Sequence, residues 1–335
     1  MKIIYHNKKY FLYRIKIEVL FISLAIHNFL YMIAHRTLLT KKNIKIAICT
    51  MGKNENLYIK EFIEYYFKMG IDHIFIYDDN DSNTEQIYNT IDKKYKYNVT
   101  IYGAKKFNIY HQSDAFTKCY NINNKNFEWF LMVDMDEFLY IVDETLKGYL
   151  TNKRFDKCDF IKINWVLTTD NDLIYYDSRP LFERFKPPFI KSQFVKSIIR
   201  GNISNLKFWV HSPYFSPERN ITCNSIGKKI YYKEMNFEVI KPINIKMAYI
   251  IHFSFKSTEE FIKKIKRGYR NWLNNGLEKF LLNKLKFYLE VNELTNEKIK
   301  LIERELKLNL SDFIKTINRK QIYIQRFKKV FGFIY

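Results

Sequence analysis

The chain has 335 residues, is 47% hydrophobic and 18% aromatic, and contains only nine Gly and six Pro. This composition excludes general disorder, collagen-like repeats and a linker-dominated chain, and the length allows one large domain or two small ones. The formal net charge of +21 points to an anionic partner: a membrane surface, a nucleic acid or a phosphorylated substrate.

The charge is concentrated at the ends. Residues 1–45 carry nine Lys or Arg against Glu18 alone, and the stretch from Phe313 onward carries six with no acid, so the ends supply +14 of the +21. Residues 19–34 are apolar apart from Ser23, His27 and Asn28. That run is too short and too polar for a membrane span, which needs about 20 apolar residues. Aromatics with flanking basic residues fit an interfacial helix; a helix packed on the domain fits as well. No small-residue cleavage site stands out, which argues against a secretory signal.

Residues 44–51 read as a β-branched strand. Residues 54–69 follow with helical spacing through Ile59, Phe62, Ile63 and Tyr66, and Gly70 is placed as the C′ residue. Residues 73–77 form a second strand ending in Asp78-Asp79-Asn80-Asp81, and residues 99–102 a third. Residues 114–122 read as a helix and residues 129–133 as a fourth strand. Strands alternating with helices predict an α/β fold with a parallel sheet. No Gly-rich dinucleotide or P-loop pattern follows the first strand. Further on, residues 159–167 read as a strand, residues 168–188 as polar and turn-rich, and residues 248–253 as a late strand. Ser257-Thr258-Glu259-Glu260 then matches a capping box, and the rest is mostly helical, with Gly268 and Gly276 as breaks. Cys49, Cys119, Cys158 and Cys223 are far apart and form no Cys-x-x-Cys. The simplest reading is a reducing compartment, with Cys49 and Cys119 as small core residues.

The fourth strand runs into Asp134-Met135-Asp136-Glu137-Phe138, which sets carboxylates where a buried strand meets solvent. Carboxylate oxygens are hard ligands suited to Mn²⁺ or Mg²⁺. Ligands of parallel-sheet proteins bind at the carboxyl ends of strands. A solvated acidic turn is the plainer alternative.

Several segments in order resemble the family 92 glycosyltransferases and the related bacterial family 2-like enzymes of surface-polysaccharide synthesis. They are Lys53-Asn54-Glu55 with Tyr58-Ile59-Lys60-Glu61-Phe62, Gly70-Ile71-Asp72-His73-Ile74 and Tyr77-Asp78; the 134–138 motif; Asn164-Trp165; residues 175–185 with Lys196-Ser197-Ile198-Ile199; and His252-Phe253 with Lys256-Ser257 and Lys266-Arg267-Gly268. The likeness covers about residues 44–270. It implies a GT-A fold over residues 44–255, between a basic, apolar segment 1–43 and a helical basic extension 256–335. It also implies a nucleotide-sugar donor and a divalent metal. On this likeness Asp134, Asp136 and His252 are the metal residues, and Lys53, Glu55, Asp78, Asp134 and Trp165 face the donor. The chain departs from the family pattern at Thr168-Thr169-Asp170 and in having His252-Phe253.

Local readings compete with these roles. Glu55 also suits a helix N-terminus, Asp78 a strand end and Trp165 a core aromatic, while Glu137 suits a further ligand or a helix cap. Inverting transfer needs a base near the acceptor hydroxyl; Asp170, Asp172 and Glu183 are the candidates, and Glu183-Arg184 alternatively reads as an ion pair. The expected function is metal-dependent sugar transfer to a glycan or lipid-linked acceptor on the cytoplasmic membrane face. The basic aromatic tail has no nucleic-acid reader motif, and an anionic membrane surface suits it better. Two rivals are a basic nucleic-acid-binding protein and a carboxylate-based phosphatase or glycosidase.

Overall fold

The computed structural model describes residues 44–105, 109, 111–187, 189–216, 220–231, 238–268 and 277–315. The expected interfacial helix and most of the basic tail lie outside these residues. The first half alternates strands and helices: β1 (Ile46–Gly52), α1 (Asn56–Met69), β2 (His73–Asp78), β3 (Val99–Gly103), α2 (Gln112–Asn123), β4 (Trp129–Met132), β5 (Glu137–Ile141) and the short α3 (Leu146–Leu150). The second half holds β6 (Phe160–Leu167), α4 (Leu181–Arg184), β7 (Ile190–Arg200), β8 (Lys207–Phe208), β9 (Pro213–Phe215), β10 (Thr222–Asn224) and β11 (Ala248–His252). Helices α5 (Thr258–Arg267), α6 (Leu277–Val291) and α7 (Asn296–Leu306) follow.

The main sheet has the order β3-β2-β1-β4-β7-β6-β11-β5, with β10 paired to β6. Strands β3, β2, β1 and β4 are mutually parallel, β7 is antiparallel to β4 and β6, and β5 is antiparallel to β11. This is a mixed α/β sheet of the GT-A kind. Strand alternation divides the core. Ile46 and Ile48 of β1 pack with Ile59, Phe62 and Tyr66 of α1 on one face, while Ala47 and Cys49 pack with Phe116, Cys119 and Tyr120 of α2 on the other. Covered on both faces, β1 is apolar nearly throughout, as a parallel central strand must be. Helix α1 stops at Gly70, whose φ of 103° lies in the left-handed region that glycine adopts without penalty. The capping box at Ser257 and Glu260 is present. A separate cluster including Phe255, Phe261, Tyr288 and Ile302 ties α5, α6 and α7 together.

Cys49 and Cys119 are core residues as expected, but the structure also pairs all four cysteines. Cys49 is bonded to Cys119 and Cys158 to Cys223, with no free cysteine among the described residues. The partners are 70 and 65 residues apart in sequence, and they meet only because α2 packs on β1 and β10 pairs with β6. Spacing could not reveal such contacts. Denatured without reductant, the full chain is expected to take up no iodoacetamide; alkylation of all four cysteines would contradict the pairing. Reduction is expected to lower the melting temperature, because cross-links closing loops of this size are worth roughly 2–4 kcal/mol each.

Candidate active site

The acidic motif lies where the chain leaves β4 and returns as β5, two strands that are not neighbours. Its backbone is fixed from three sides. The Asp134 N–H donates to Glu137 Oε2 at 2.9 Å, the Tyr66 hydroxyl donates to the Glu137 carbonyl at 2.8 Å, and the Phe253 N–H donates to the Asp136 carbonyl at 2.9 Å. Glu137 therefore opens a strand and closes the motif's turn; it caps no helix. Its register partner on β11 is His252.

Each carboxylate meets a cation supplied by another element. Lys196 of β7, fully buried, donates to Asp134 Oδ1 at 2.9 Å and stands 3.6 Å from Glu137 Oε2. Gln112, the first residue of α2, donates to the same Asp134 oxygen. Lys264 of α5 approaches Asp136 Oδ2 at 2.5 Å, and His252 Nε2 lies 3.6 Å from Asp136 Oδ1. Glu55 is held by Lys256 at 3.2 Å and by Arg267 at 2.7 Å. Arg267 also donates to the Lys53 carbonyl, and Lys53 Nζ lies 3.5 Å from the Arg267 carbonyl. Lys53, Glu55, Asp134, Asp136 and His252 thus share one interconnected site. The main cations (Lys196, Lys256, Lys264 and Arg267) were not singled out as site residues, although three of them fall in segments that carry the family resemblance.

Proton affinities follow from this packing. Burial alone would raise the Asp136 carboxyl, but Lys264 and its other cationic neighbours hold it well below the usual range. Burial and the Asp134 charge push Glu137 well above its ordinary value. Burial lowers Lys196, but Asp134 and Glu137 more than reverse this and keep its ammonium charged. Burial lowers His252, against the opposing pull of the Asp136 carboxylate. Burial, aided by the Lys196 charge, depresses His211 to about 3.

The remaining candidates fall elsewhere. Both Asp78 oxygens accept backbone N–H groups, from Asn80 and Ile87, so it fixes the loop after β2. Trp165 is buried, with its ring 4.4 Å from that of His252 and 5.1 Å from that of His211; it positions the histidines and offers no open stacking face. Asp170 is buried against Lys298 of α7 at 2.8 Å and accepts from Tyr288 at 2.5 Å, so its carboxylate anchors the C-terminal helices. Asp172 is mostly exposed and also pairs with Lys298. Glu183 is exposed on α4, and Arg184 pairs with Glu260 at 2.9 Å, not with Glu183. No hydrogen bond or ion pair joins these three base candidates to the Asp134–Asp136 cluster among the described residues.

Among the described residues, no three His, Cys, Asp or Glu side chains stand together as a ready-made metal site. Asp136 Oδ1 and His252 Nε2 still offer two ligands side by side. Mg²⁺-type ions characteristically use one or two carboxylates and complete their shells with substrate phosphates and water. The donor set therefore fits a divalent ion that arrives with a diphosphate.

Two outcomes follow from the packing of the site. Lys196→Met leaves Glu137 and Asp134 without their cation. The expected cost is about 3 kcal/mol, the low end for breaking a buried pair, because the Asp134 side chain is 31% exposed and can be partly rehydrated; an unchanged unfolding midpoint would contradict this. For His211, the unfolded imidazole charges near pH 6.5 while the folded one stays neutral to about 3. Its stabilising contribution is thus present above pH 6.5 and lost as pH falls through that window. His211→Asn is expected to lose less melting temperature than the wild type between pH 6.5 and 4.5.

The sequence matches the family model "Glycosyltransferase family 92" over residues 42–309. It is 33% identical over 114 residues to a glycosyltransferase family 92 protein of Oryza sativa subsp. japonica, covering 33% of this chain and 19% of the rice protein. It is 29% identical over 103 residues to a second such protein, from Ricinus communis, covering 30% of this chain and 18% of that one. These matches span less than a fifth of either plant protein. With the family model extending across most of the chain and the α/β sheet carrying the acidic motif at a strand end, the chain belongs to glycosyltransferase family 92.

Proposed function

We propose that this protein transfers a sugar from a nucleotide-sugar donor to a glycan or lipid-linked acceptor in surface-polysaccharide synthesis. The observation that carries this reading is the ring of cations around the Asp134–Asp136 turn: Lys196, Lys256, Lys264 and Arg267, all on the same site. In sugar transfer an acceptor hydroxyl gives its proton to a base as its oxygen attacks the anomeric carbon, the bond from that carbon to the diphosphate oxygen breaks, and the nucleoside diphosphate leaves with the electron pair. Lys264 and Arg267 would take up that growing negative charge. Asp136 and His252 would hold Mn²⁺ or Mg²⁺, which would supply Lewis-acid neutralisation of the same leaving group. Attack from the face opposite the diphosphate inverts the anomeric centre.

The location reading changes with the cysteines. Two cystines suit an oxidising compartment better than the cytoplasmic face expected from sequence. Among the described residues no helix is long and apolar enough to cross a membrane. The basic, aromatic ends still suit peripheral attachment to an anionic surface, at roughly 1 kcal/mol per basic residue close to it.

With nucleotide sugars and a soluble acceptor, Asp136→Asn is expected to lower turnover by about 10²-fold or more, as the loss of other electrostatic stabilisers does. Full activity in this variant, or in excess EDTA, would contradict the metal-assisted reading. The full chain is expected to co-sediment with phosphatidylserine vesicles at low salt and to release partly at high salt. Indifference to vesicles combined with tight RNA binding would favour the nucleic-acid alternative.

A further inference from the structure

A second concavity opens beside the carboxylate site, between the N-terminal turns of α2 and the hairpin formed by β8 and β9. Its volume is about 820 Å³, within the range of small-molecule sites. Trp209 and Tyr214, residues 48% and 49% exposed, line it. Single exposed aromatics are ordinary, but two of them facing one concavity rimmed by polar groups have the make-up of a binding face. The polar groups are the carboxylates of Asp114 and Glu238, the ammonium of Lys207 and the hydroxyls of Ser113 and Thr117.

Both walls are fastened to the acidic motif. Helix α2 begins at Gln112, which donates to Asp134. The hairpin turn is tied to β7 by three bonds: Lys196 Nζ to the Val210 carbonyl at 2.9 Å, Ser197 Oγ to the His211 carbonyl at 2.8 Å, and His211 Nδ1 with the Val195 carbonyl at 2.9 Å. Lys196 is the same residue that holds Asp134. The walls are joined where the Phe208 N–H donates to Thr117 Oγ1 at 3.0 Å. The Trp209 indole N–H donates to Glu238 Oε1 at 2.9 Å, which sets the plane of its ring. A flat aromatic face held at a fixed distance from the transfer site is a positioning surface.

The lining chemistry selects the ligand class. A pyranose ring offers an apolar C–H face to stack on an aromatic and equatorial hydroxyls that donate to carboxylates. The two carboxylates outnumber the one ammonium, Lys207, which disfavours a phosphate backbone, so the surface suits a neutral glycan better than a nucleic acid. We propose that this cavity is the acceptor subsite and that it binds a glycan with one sugar ring stacked on Trp209. This inference rests on the transferase reading and adds the chemical class and location of the acceptor.

The test uses the full chain as wild type, Trp209→Ala, Trp209→Phe and Asp136→Asn, with immobilised neutral oligosaccharides ending in galactose or N-acetylglucosamine. The wild type and Asp136→Asn are expected to retain the same oligosaccharide. Trp209→Ala should bind it at least about tenfold more weakly, and Trp209→Phe should fall between them. Retention of no oligosaccharide by the wild type, equal retention by Trp209→Ala, or retention of single-stranded RNA lost in Trp209→Ala would each overturn the proposal. Release of nucleoside diphosphate from nucleotide sugars without acceptor separates the two readings. It should be unchanged in Trp209→Ala; its loss there would place Trp209 in the donor site and overturn the subsite. Its absence in the wild type counts against the transferase reading, while the oligosaccharide data still decide the subsite.

Discussion

The rest of the structure depends on how buried carboxylates are neutralised at the end of β4. Asp136, Glu137 and Glu55 are all nearly or wholly buried. An uncompensated carboxylate in such a setting costs several kcal/mol, and several together would prevent folding. The chain resolves this in two ways. Asp134, Asp136 and Glu55 receive Lys or Arg partners, and Glu137, 3.6 Å from Lys196, has its proton affinity raised by burial. Every cationic partner comes from a distant element: Lys196 from β7, Lys264 and Arg267 from α5, and Lys256 from the turn before α5. The sheet order and the capped start of α5 are therefore conditions for the site to exist. Lys256 itself takes a φ of 56°, a left-handed conformation that the surrounding contacts hold in place.

That arrangement suits a leaving diphosphate. Cations already fixed beside the carboxylates need no reorganisation when negative charge develops, which is the condition for strong electrostatic stabilisation. Lys196 also anchors the β8–β9 turn, so the donor-side carboxylate and the aromatic cavity share a single buried ammonium.

Much of the sheet was legible because its inner strands carry their own periodicity. Strands β1, β2, β4, β6 and β11 fell within a residue or two of the expected spans, as did α1 and α2. Family likeness, more than pattern, singled out Asp136 and His252, and these two do meet. Strand β5 was missed because it starts at the acidic motif itself, where Glu137 reads as a polar turn. Strand β7 carries Lys191, Lys196 and Arg200, and only tertiary pairing turns Lys196 inward. The same limit hid the cystines and the cations of the site, since each depends on a contact across tens of residues. Asp170 misled because a carboxylate after a strand looks alike whether it meets substrate or a lysine on a later helix.

The central claim is that the cations around Asp134 and Asp136 form an anion site for a nucleoside diphosphate. Calorimetric titration of the full chain with UDP, GDP, ADP and CDP in turn, with Mn²⁺ present, tests it most directly. The account predicts that at least one binds and that Lys264→Met, normalised to its folded fraction, weakens that binding by about tenfold or more, equivalent to about 1.4 kcal/mol. Absence of binding by all four, or undiminished affinity in Lys264→Met, would contradict it.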